Sequence, residues 1–203
     1  MIKVGFFINY VFMEIKNLSE ETLSDKTFLL KEYKYDYKHS DQHKVEKHLR
    51  EVYDHGDGAS ILLYNLVKKT VVLTRQFRLP SYLNGTPSGM VIEVCAGSLD
   101  GDTPEDCAKK EALEESGYQV EEIEKVGEIY PSPAVMTEIA YLFIAEYTDH
   151  MKVTEGGGLD EEGEYLEVIE IPFEDAFGMI ADGQIRDART VILLQHLKIK
   201  NIL

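Results

Sequence analysis

Two glutamates in the segment at residues 96–117 are spaced so that they share one face of a helix. Glu111 and Glu115 lie four residues apart, which is about one helical turn, and Glu114 lies beside them. Like charges at this spacing repel each other, so a helix keeps them where solvent or a bound cation compensates the repulsion. Magnesium takes oxygen ligands and usually keeps several waters and substrate phosphates. The cluster therefore indicates a divalent-cation site and chemistry on phosphates.

The residues around these glutamates predict a helix with well-defined ends. Thr103 is a good N-cap, Pro104 suits the first helical position, and Gly117 supplies a left-handed stop. Ala108 and Ala112 form a small apolar stripe. This stripe allows the helix to lie close to a sheet, with the carboxylates in the space beside it.

A β-rich stretch at residues 90–97 leads into this helix through a glycine turn. Glu93 interrupts its apolar run. An isolated glutamate of this kind usually faces solvent, but the glutamates that follow make Glu93 a candidate further metal ligand.

The rest of the chain alternates strand and helix patterns. Strands are predicted at 27–30, 33–37, 45–54, 59–66 and 71–77, and helices at 172–182 and 188–198. Val191, Leu194 and Leu197 form an apolar stripe on the last helix, which predicts packing rather than cofactor binding. These patterns indicate an α/β protein with a small N-terminal sheet.

Composition narrows the class of partner. The chain of 203 residues has 37 acidic and 21 basic residues, a net charge of −16, which argues against a nucleic-acid binder. An anionic substrate must then be bound through metal ions and a few arginines. The two cysteines, Cys95 and Cys107, form no disulfide framework or zinc pattern, which suits a reducing cytoplasm.

The first twelve residues are apolar but too short to span a membrane, and they lack a small-residue cleavage site. We interpret them as an extension or a misassigned start. No membrane association is expected.

The acidic segment resembles the Nudix hydrolase signature, G-x5-E-x7-R-E-U-x-E-E-x-G-U, where U is aliphatic. Residues 110–118 match its second half, with Lys110 in place of the usual arginine. The interval back to Gly97 is one residue short, and Thr103 stands where the first glutamate is expected. That glutamate mostly supports the box in the family, so activity is expected to survive.

Further segments resemble the GDP-mannose pyrophosphatases, a Nudix subfamily related to ADP-ribose and ADP-sugar pyrophosphatases. They lie at 50–54, 59–65, 75–78 and 185–187, and the resemblance covers about residues 22 to 197. It implies the Nudix fold, an α/β/α sandwich with a mixed sheet, plus a small N-terminal antiparallel sheet. The implied domains are a non-essential extension at 1–20, a dimerisation sheet at 21–55 and the hydrolase domain at 56–203.

The resemblance also implies a metal site and a general base. The cofactor would be Mg²⁺, with Mn²⁺ as a substitute, and its ligands would be the Ala96 carbonyl, Glu111, Glu115 and Glu164. In the acidic loop, Glu162 is the expected base and Glu161 competes for this role. The three glycines at 156–158 predict a flexible hinge in front of this loop.

Substrate contacts are implied residue by residue. The expected substrate-binding residues are Arg50, Glu51, Arg78, Gly97, Glu138 and Arg189. Arg50 and Glu51 would reach the site of the other subunit, because the family forms homodimers by exchanging N-terminal sheets. Arg75 is expected to support the fold. Without the resemblance, each of these charged residues would be interpreted as an ordinary surface residue.

Three functions follow from the resemblance. The first is hydrolysis of GDP-mannose to GMP and mannose 1-phosphate, and the second is the same reaction on ADP-ribose or an ADP-sugar. The third is a catalytically silent Nudix module that binds a nucleotide. The retained glutamates favour an enzyme.

Overall fold

The computed structural model describes residues 14–38, 43–159 and 165–203, which divide into two compact units. The first unit contains the residues up to His55 together with Ser132–Thr137. The second contains Gly56–Pro131 and Glu138–Leu203.

The first unit is a three-stranded antiparallel sheet in the order β1–β2–β3. Its strands are β1 (Glu14–Asp25), β2 (Leu29–Lys38) and β3 (Glu46–Asp54). The two short strands predicted at 27–30 and 33–37 are one continuous strand, because Lys31 and Glu32 also pair with both neighbouring strands. The sheet begins at Glu14, earlier than the expected boundary at residue 21.

The second unit is built on a seven-stranded mixed sheet. The central order is β10–β5–β4–β9–β8, with β6 paired to β5 and β7 paired to β4. The strands are β4 (Gly58–Asn65), β5 (Thr70–Phe77), β6 (Met90–Glu93), β7 (Cys95–Ser98), β8 (Glu124–Ile129), β9 (Ala140–Glu146) and β10 (Leu166–Pro172). The β4–β9 pair is parallel and the other pairs are antiparallel.

Helices cover both faces of this sheet. They are α1 (Leu79–Leu83), α2 (Pro104–Ser116), α3 (Phe173–Ala181) and α4 (Ala188–Ile199). Because successive side chains of a strand point to opposite faces, Ile61 and Leu63 pack with α2 while Leu62 packs with α3 and α4. The arrangement is the predicted α/β/α sandwich.

The predicted apolar stripe of the last helix lies in the core. Leu194 and Leu197 are buried and Val191 is partly buried, all in the cluster that joins α3 and α4 to the sheet. Cys95 and Cys107 are buried free thiols. Within the described ranges, no helix is both long and apolar enough to cross a membrane.

Candidate metal and substrate site

Helix α2 forms as predicted and carries both glutamates of the proposed metal site. The Thr103 side chain caps its start by accepting a hydrogen bond from the Asp106 N–H at 3.2 Å. Gly117 ends it with a φ of 82°, a left-handed conformation that glycine adopts at little cost. These two caps therefore define where α2 begins and ends.

Glu115 reaches from α2 to the backbone of β7. Its side chain is buried, and its Oε2 accepts a hydrogen bond from the Ala96 N–H at 3.2 Å. The Ala96 N–H therefore points out of the ladder with β4. In an antiparallel pair the N–H and C=O of one residue leave the strand on the same side, so the Ala96 carbonyl also leaves β7 on the side of Glu115.

Glu111 lies against the backbone of Gly97. A Cβ atom built at Gly97 would overlap the Glu111 carboxylate at less than any real contact distance. Glycine at this position leaves room for the carboxylate to lie against the strand. Ala96, Gly97, Glu111 and Glu115 are therefore brought together in the structure.

The two buried thiols lie close to these carboxylates. Burial and the nearby charges of Glu115 and Glu111 raise the pKa of Cys95 well above its usual range. Burial, followed by the charge of Glu111, raises the pKa of Cys107 to about 11. Two carboxylates and a backbone carbonyl in a negatively charged region are suitable ligands for a hard divalent cation.

The described residues supply only part of the predicted ligand set. Among residues 14–38, 43–159 and 165–203, no group of three or more His, Cys, Asp or Glu side chains is arranged to hold a metal ion. The predicted ligand Glu164, the predicted base Glu162 and its competitor Glu161 lie outside the described residues. Their roles stay predictions.

The glycines at 156–158 are docked onto α2, which differs from the hinge predicted there. The Gly157 N–H donates to the Glu115 carbonyl at 2.8 Å, and the Gly158 N–H donates to the Glu114 carbonyl at 3.2 Å. Their φ values are positive, 108° for Gly157 and 83° for Gly158. The last carbonyls of a helix lack donors within the helix, and the N–H groups of this turn donate to two of them. These glycines therefore provide the positive φ values of the turn and allow its backbone to lie close to the end of α2.

Glu93 is part of an ion-pair cluster, which corrects both interpretations given to it from sequence. It is 2% exposed, so it does not face solvent. Its Oε1 accepts from Arg78 Nε and its Oε2 accepts from Arg189 Nη2, each at 2.8 Å. Because guanidinium groups engage both carboxylate oxygens, Glu93 is not arranged as a metal ligand.

The start of α4 holds one side of this cluster. Asp187 caps the helix by accepting from the Thr190 N–H at 2.9 Å and also accepts from Arg189 Nε at 3.1 Å. The Thr190 hydroxyl donates to Asp187 at 2.8 Å and accepts from the Val94 N–H at 2.9 Å. Sequence reasoning missed Thr190, although Asp187 is a preferred N-cap residue, and such a side chain accepts from the N–H two or three residues further on.

The charge of Glu138 also acts on this cluster. Burial favours the neutral form of Arg189, but the charges of Asp187 and Glu93, with a smaller contribution from Glu138, raise its pKa. Arg78 and Arg189, two of the predicted substrate-binding residues, thus share Glu93 as a partner, and the charge of a third, Glu138, acts on Arg189.

The other arginines of the prediction lie elsewhere. Arg75 forms an ion pair with Glu167, which is opposite it on β10. Arg50 and Glu51 are exposed on β3 in the first unit, and Arg50 Nη1 donates to the Leu49 carbonyl at 2.7 Å. The predicted role of Arg50 and Glu51 across a dimer stays a prediction.

Comparison with family models matches both parts of the chain. Residues 54–194 match the NUDIX domain. Residues 14–53 match the N-terminal domain of the GDP-mannose pyrophosphatase NudK.

Curated relatives match almost the whole chain. The GDP-mannose pyrophosphatase of Cronobacter sakazakii is 49% identical over 94% of this chain and 98% of the relative. Enzymes of the same name from Klebsiella pneumoniae and Yersinia pestis are each 48% identical, over 94% and 92% of this chain and 95% and 93% of the relatives.

Proposed function

The chain belongs to the Nudix family, and from this premise we propose that it hydrolyses the pyrophosphate bond of GDP-mannose to GMP and mannose 1-phosphate. One observation supports this substrate above the others. Residues 14–53 match the N-terminal domain of GDP-mannose pyrophosphatases, whereas the NUDIX match alone leaves the nucleotide open. Hydrolysis of ADP-ribose or an ADP-sugar is the alternative within the same chemistry.

The proposed metal is Mg²⁺, with Mn²⁺ as a substitute, held by the Ala96 carbonyl, Glu111, Glu115 and Glu164. Bound Mg²⁺ would supply charge neutralisation at the diphosphate of the substrate. The buried Glu115 and the closely packed Glu111 support the assignment, since hard cations take oxygen ligands.

The chain itself would supply the base and the substrate contacts. Glu162, or Glu161 in its place, would take a proton from the attacking water. Arg78, Gly97, Glu138 and Arg189 would contact the substrate. The arginine cluster around Glu93 supports this role, because planar guanidinium groups suit phosphate recognition.

We propose a cytoplasmic homodimer that exchanges its N-terminal sheets, with Arg50 and Glu51 acting across the dimer. The sheet would serve dimerisation and residues 56–203 the hydrolysis. The exposed apolar residues of the first unit support this, among them Ile15 at 59% and Leu18 at 62% exposure. The free thiols suit a reducing compartment.

Product analysis tests the substrate. The purified chain is given equal concentrations of GDP-mannose and ADP-ribose with Mg²⁺, and we expect GMP and mannose 1-phosphate to dominate. A strong preference for ADP-ribose would replace the proposed substrate with the alternative one.

Metal dependence and a matched pair of variants test catalysis. EDTA should abolish activity and added Mg²⁺ should restore it. Glu115→Gln should lower kcat by about 100-fold or more, since it removes an anionic ligand. Glu105→Gln makes the same change on the exposed first turn of α2 and should keep full activity. Full activity of Glu115→Gln would contradict the ligand role of Glu115. A wild type that binds the nucleotide but hydrolyses nothing with Mg²⁺ would instead favour a silent nucleotide-binding module.

A further inference from the structure

A single buried carboxylate holds two arginines that come from distant parts of the chain. Glu93 Oε1 accepts from Arg78 Nε and Glu93 Oε2 accepts from Arg189 Nη2, each at 2.8 Å. The side chain of Glu93 is 3% exposed, whereas those of Arg78 and Arg189 are 42% and 21% exposed. The two guanidinium groups are therefore more exposed to solvent than the carboxylate that they share.

Glu93 has a physical reason to lie between these groups. Two guanidinium groups repel each other, and an anion placed between them removes this repulsion before substrate arrives. A guanidinium has five N–H donors, so a bond to Glu93 fixes its plane while other donors can bind a second anion. Ion pairs between charged partners of this kind are also stronger than neutral hydrogen bonds.

The backbone around Glu93 is itself anchored. The Glu93 carbonyl accepts from the Thr74 hydroxyl at 3.3 Å, and the next N–H, of Val94, donates to the Thr190 hydroxyl at 2.9 Å. These bonds join β5, β6 and α4 at one point. The backbone that carries the carboxylate is thus fixed by contacts to two neighbouring elements, which a positioning role requires.

We propose that Glu93 is a positioning residue, which holds the Arg78 and Arg189 guanidinium groups in place to bind the diphosphate of the substrate. The inference rests on the proposed function, because it takes the substrate to be a nucleoside diphosphate sugar. It differs from a metal-ligand role for Glu93, since both of its oxygens contact arginine.

Glu93→Gln provides the main test. The amide can accept from one guanidinium, but its NH₂ group cannot accept from the other. With the nucleoside diphosphate sugar that the wild type hydrolyses best, KM should rise by about 10-fold or more while kcat changes by less than about 3-fold. A raised KM with a nearly unchanged kcat is expected when the lost interaction stabilises the bound substrate and the transition state equally. The Mg²⁺ concentration for half-maximal activity should not change.

Glu167→Gln is the matched control. Glu167 pairs with Arg75, which lies on β5 three residues before Arg78, so the variant makes the same chemical change to an arginine-bound glutamate. Its KM should equal that of the wild type. An unchanged KM in Glu93→Gln, or a raised Mg²⁺ requirement with unchanged KM, would overturn the positioning role.

Two further variants separate positioning from simple structural support. Glu93→Asp keeps the charge but is one methylene shorter, so it should fold and still raise KM; it decides the question if Glu93→Gln does not fold. In an Arg189→Gln background, Glu93→Gln should raise KM by much less than in the wild type, because the two residues act together. The same increase in both backgrounds would overturn the inference.

The wild-type control separates this inference from the proposed function. If the wild type hydrolyses another nucleoside diphosphate sugar better than GDP-mannose, the substrate assignment fails while the variants still test Glu93. If the wild type prefers GDP-mannose and the variants match its KM, the inference alone fails.

Discussion

At single residues, the same side-chain type has different roles because its surroundings differ. Glu115 is buried and contacts the Ala96 backbone, whereas Glu93 is buried between two arginines. The first accepts from a neutral backbone N–H, and the second has its charge balanced by two guanidinium groups. Their partners, rather than their burial, separate a proposed metal ligand from a proposed positioning residue.

Gly97→Ala tests the close approach of Glu111 to the backbone. The added methyl group would occupy the position of the Glu111 carboxylate, so we expect activity to fall by about 100-fold or more. The effect on thermal unfolding should be smaller, because the carboxylate can move toward solvent.

Gly178→Ala is the control for this substitution. Gly178 lies within α3, and a Cβ there would meet nothing within 4 Å. This variant should keep its activity and gain about 0.5–1 kcal/mol in the free energy of unfolding, the usual helix preference for alanine. Full activity of Gly97→Ala would show that the carboxylate need not lie against residue 97.

Both ends of α2 are capped by hydrogen bonds. Thr103 caps its start, and the turn at Gly156–Gly158 takes up carbonyls at its end. A Cβ at Gly156 would overlap the backbone of Glu115 and Ser116, so the turn requires glycine. The chain leading toward the acidic loop is thereby attached to the helix that carries Glu111 and Glu115.

Thr103→Ala tests whether Thr103 caps the helix or replaces the missing signature glutamate. Loss of the cap should reduce the free energy of unfolding by about 1 kcal/mol, as measured by urea denaturation. The kcat should stay near the wild-type value, because the proposed ligands lie two and three turns further along α2.

Thr103→Ser keeps a hydroxyl that can cap the helix and should preserve both stability and activity. A large loss of kcat in Thr103→Ala, with Thr103→Ser fully active, would assign the hydroxyl a role in the site itself.

Across the full chain, the two units differ in how they bury apolar groups. The second unit encloses two apolar clusters between its sheet and its helices. The first unit leaves Ile15, Leu18 and Leu49 at 59%, 62% and 47% exposure. These exposed apolar side chains are the basis of the proposed dimer, because contiguous exposed apolar patches mark interaction sites.

Leu18→Asp and Leu49→Asp test that dimer. Each places a charge on the apolar surface of the N-terminal sheet, so we expect the protein to sediment as a monomer while the wild type sediments as a dimer. Val67→Asp is the control, since Val67 is 91% exposed on the turn after β4. Dimers in both sheet variants, or a monomeric wild type, would contradict the proposed assembly.

Local patterns were sufficient for much of the fold and for the core of the candidate site. Helix α2 follows from Thr103, Pro104 and Gly117, and the pairing of its glutamates follows from their four-residue spacing. The strands near 59–66 and 71–77 follow from continuous apolar runs. These features depend on neighbours within a turn or a strand, which the sequence states directly.

The roles of Glu93, Thr190 and Gly156–Gly158 required the folded chain. Glu93 meets Arg189 across 96 positions of sequence, and Thr190 bonds the Val94 N–H across the same separation. A glycine run that suggests mobility is instead docked onto a helix about forty residues away, because that helix end has carbonyls to satisfy. Ion-pair partners and docked turns arise from contacts between distant segments, so tertiary packing alone determines whether a buried carboxylate meets a metal ion or an arginine.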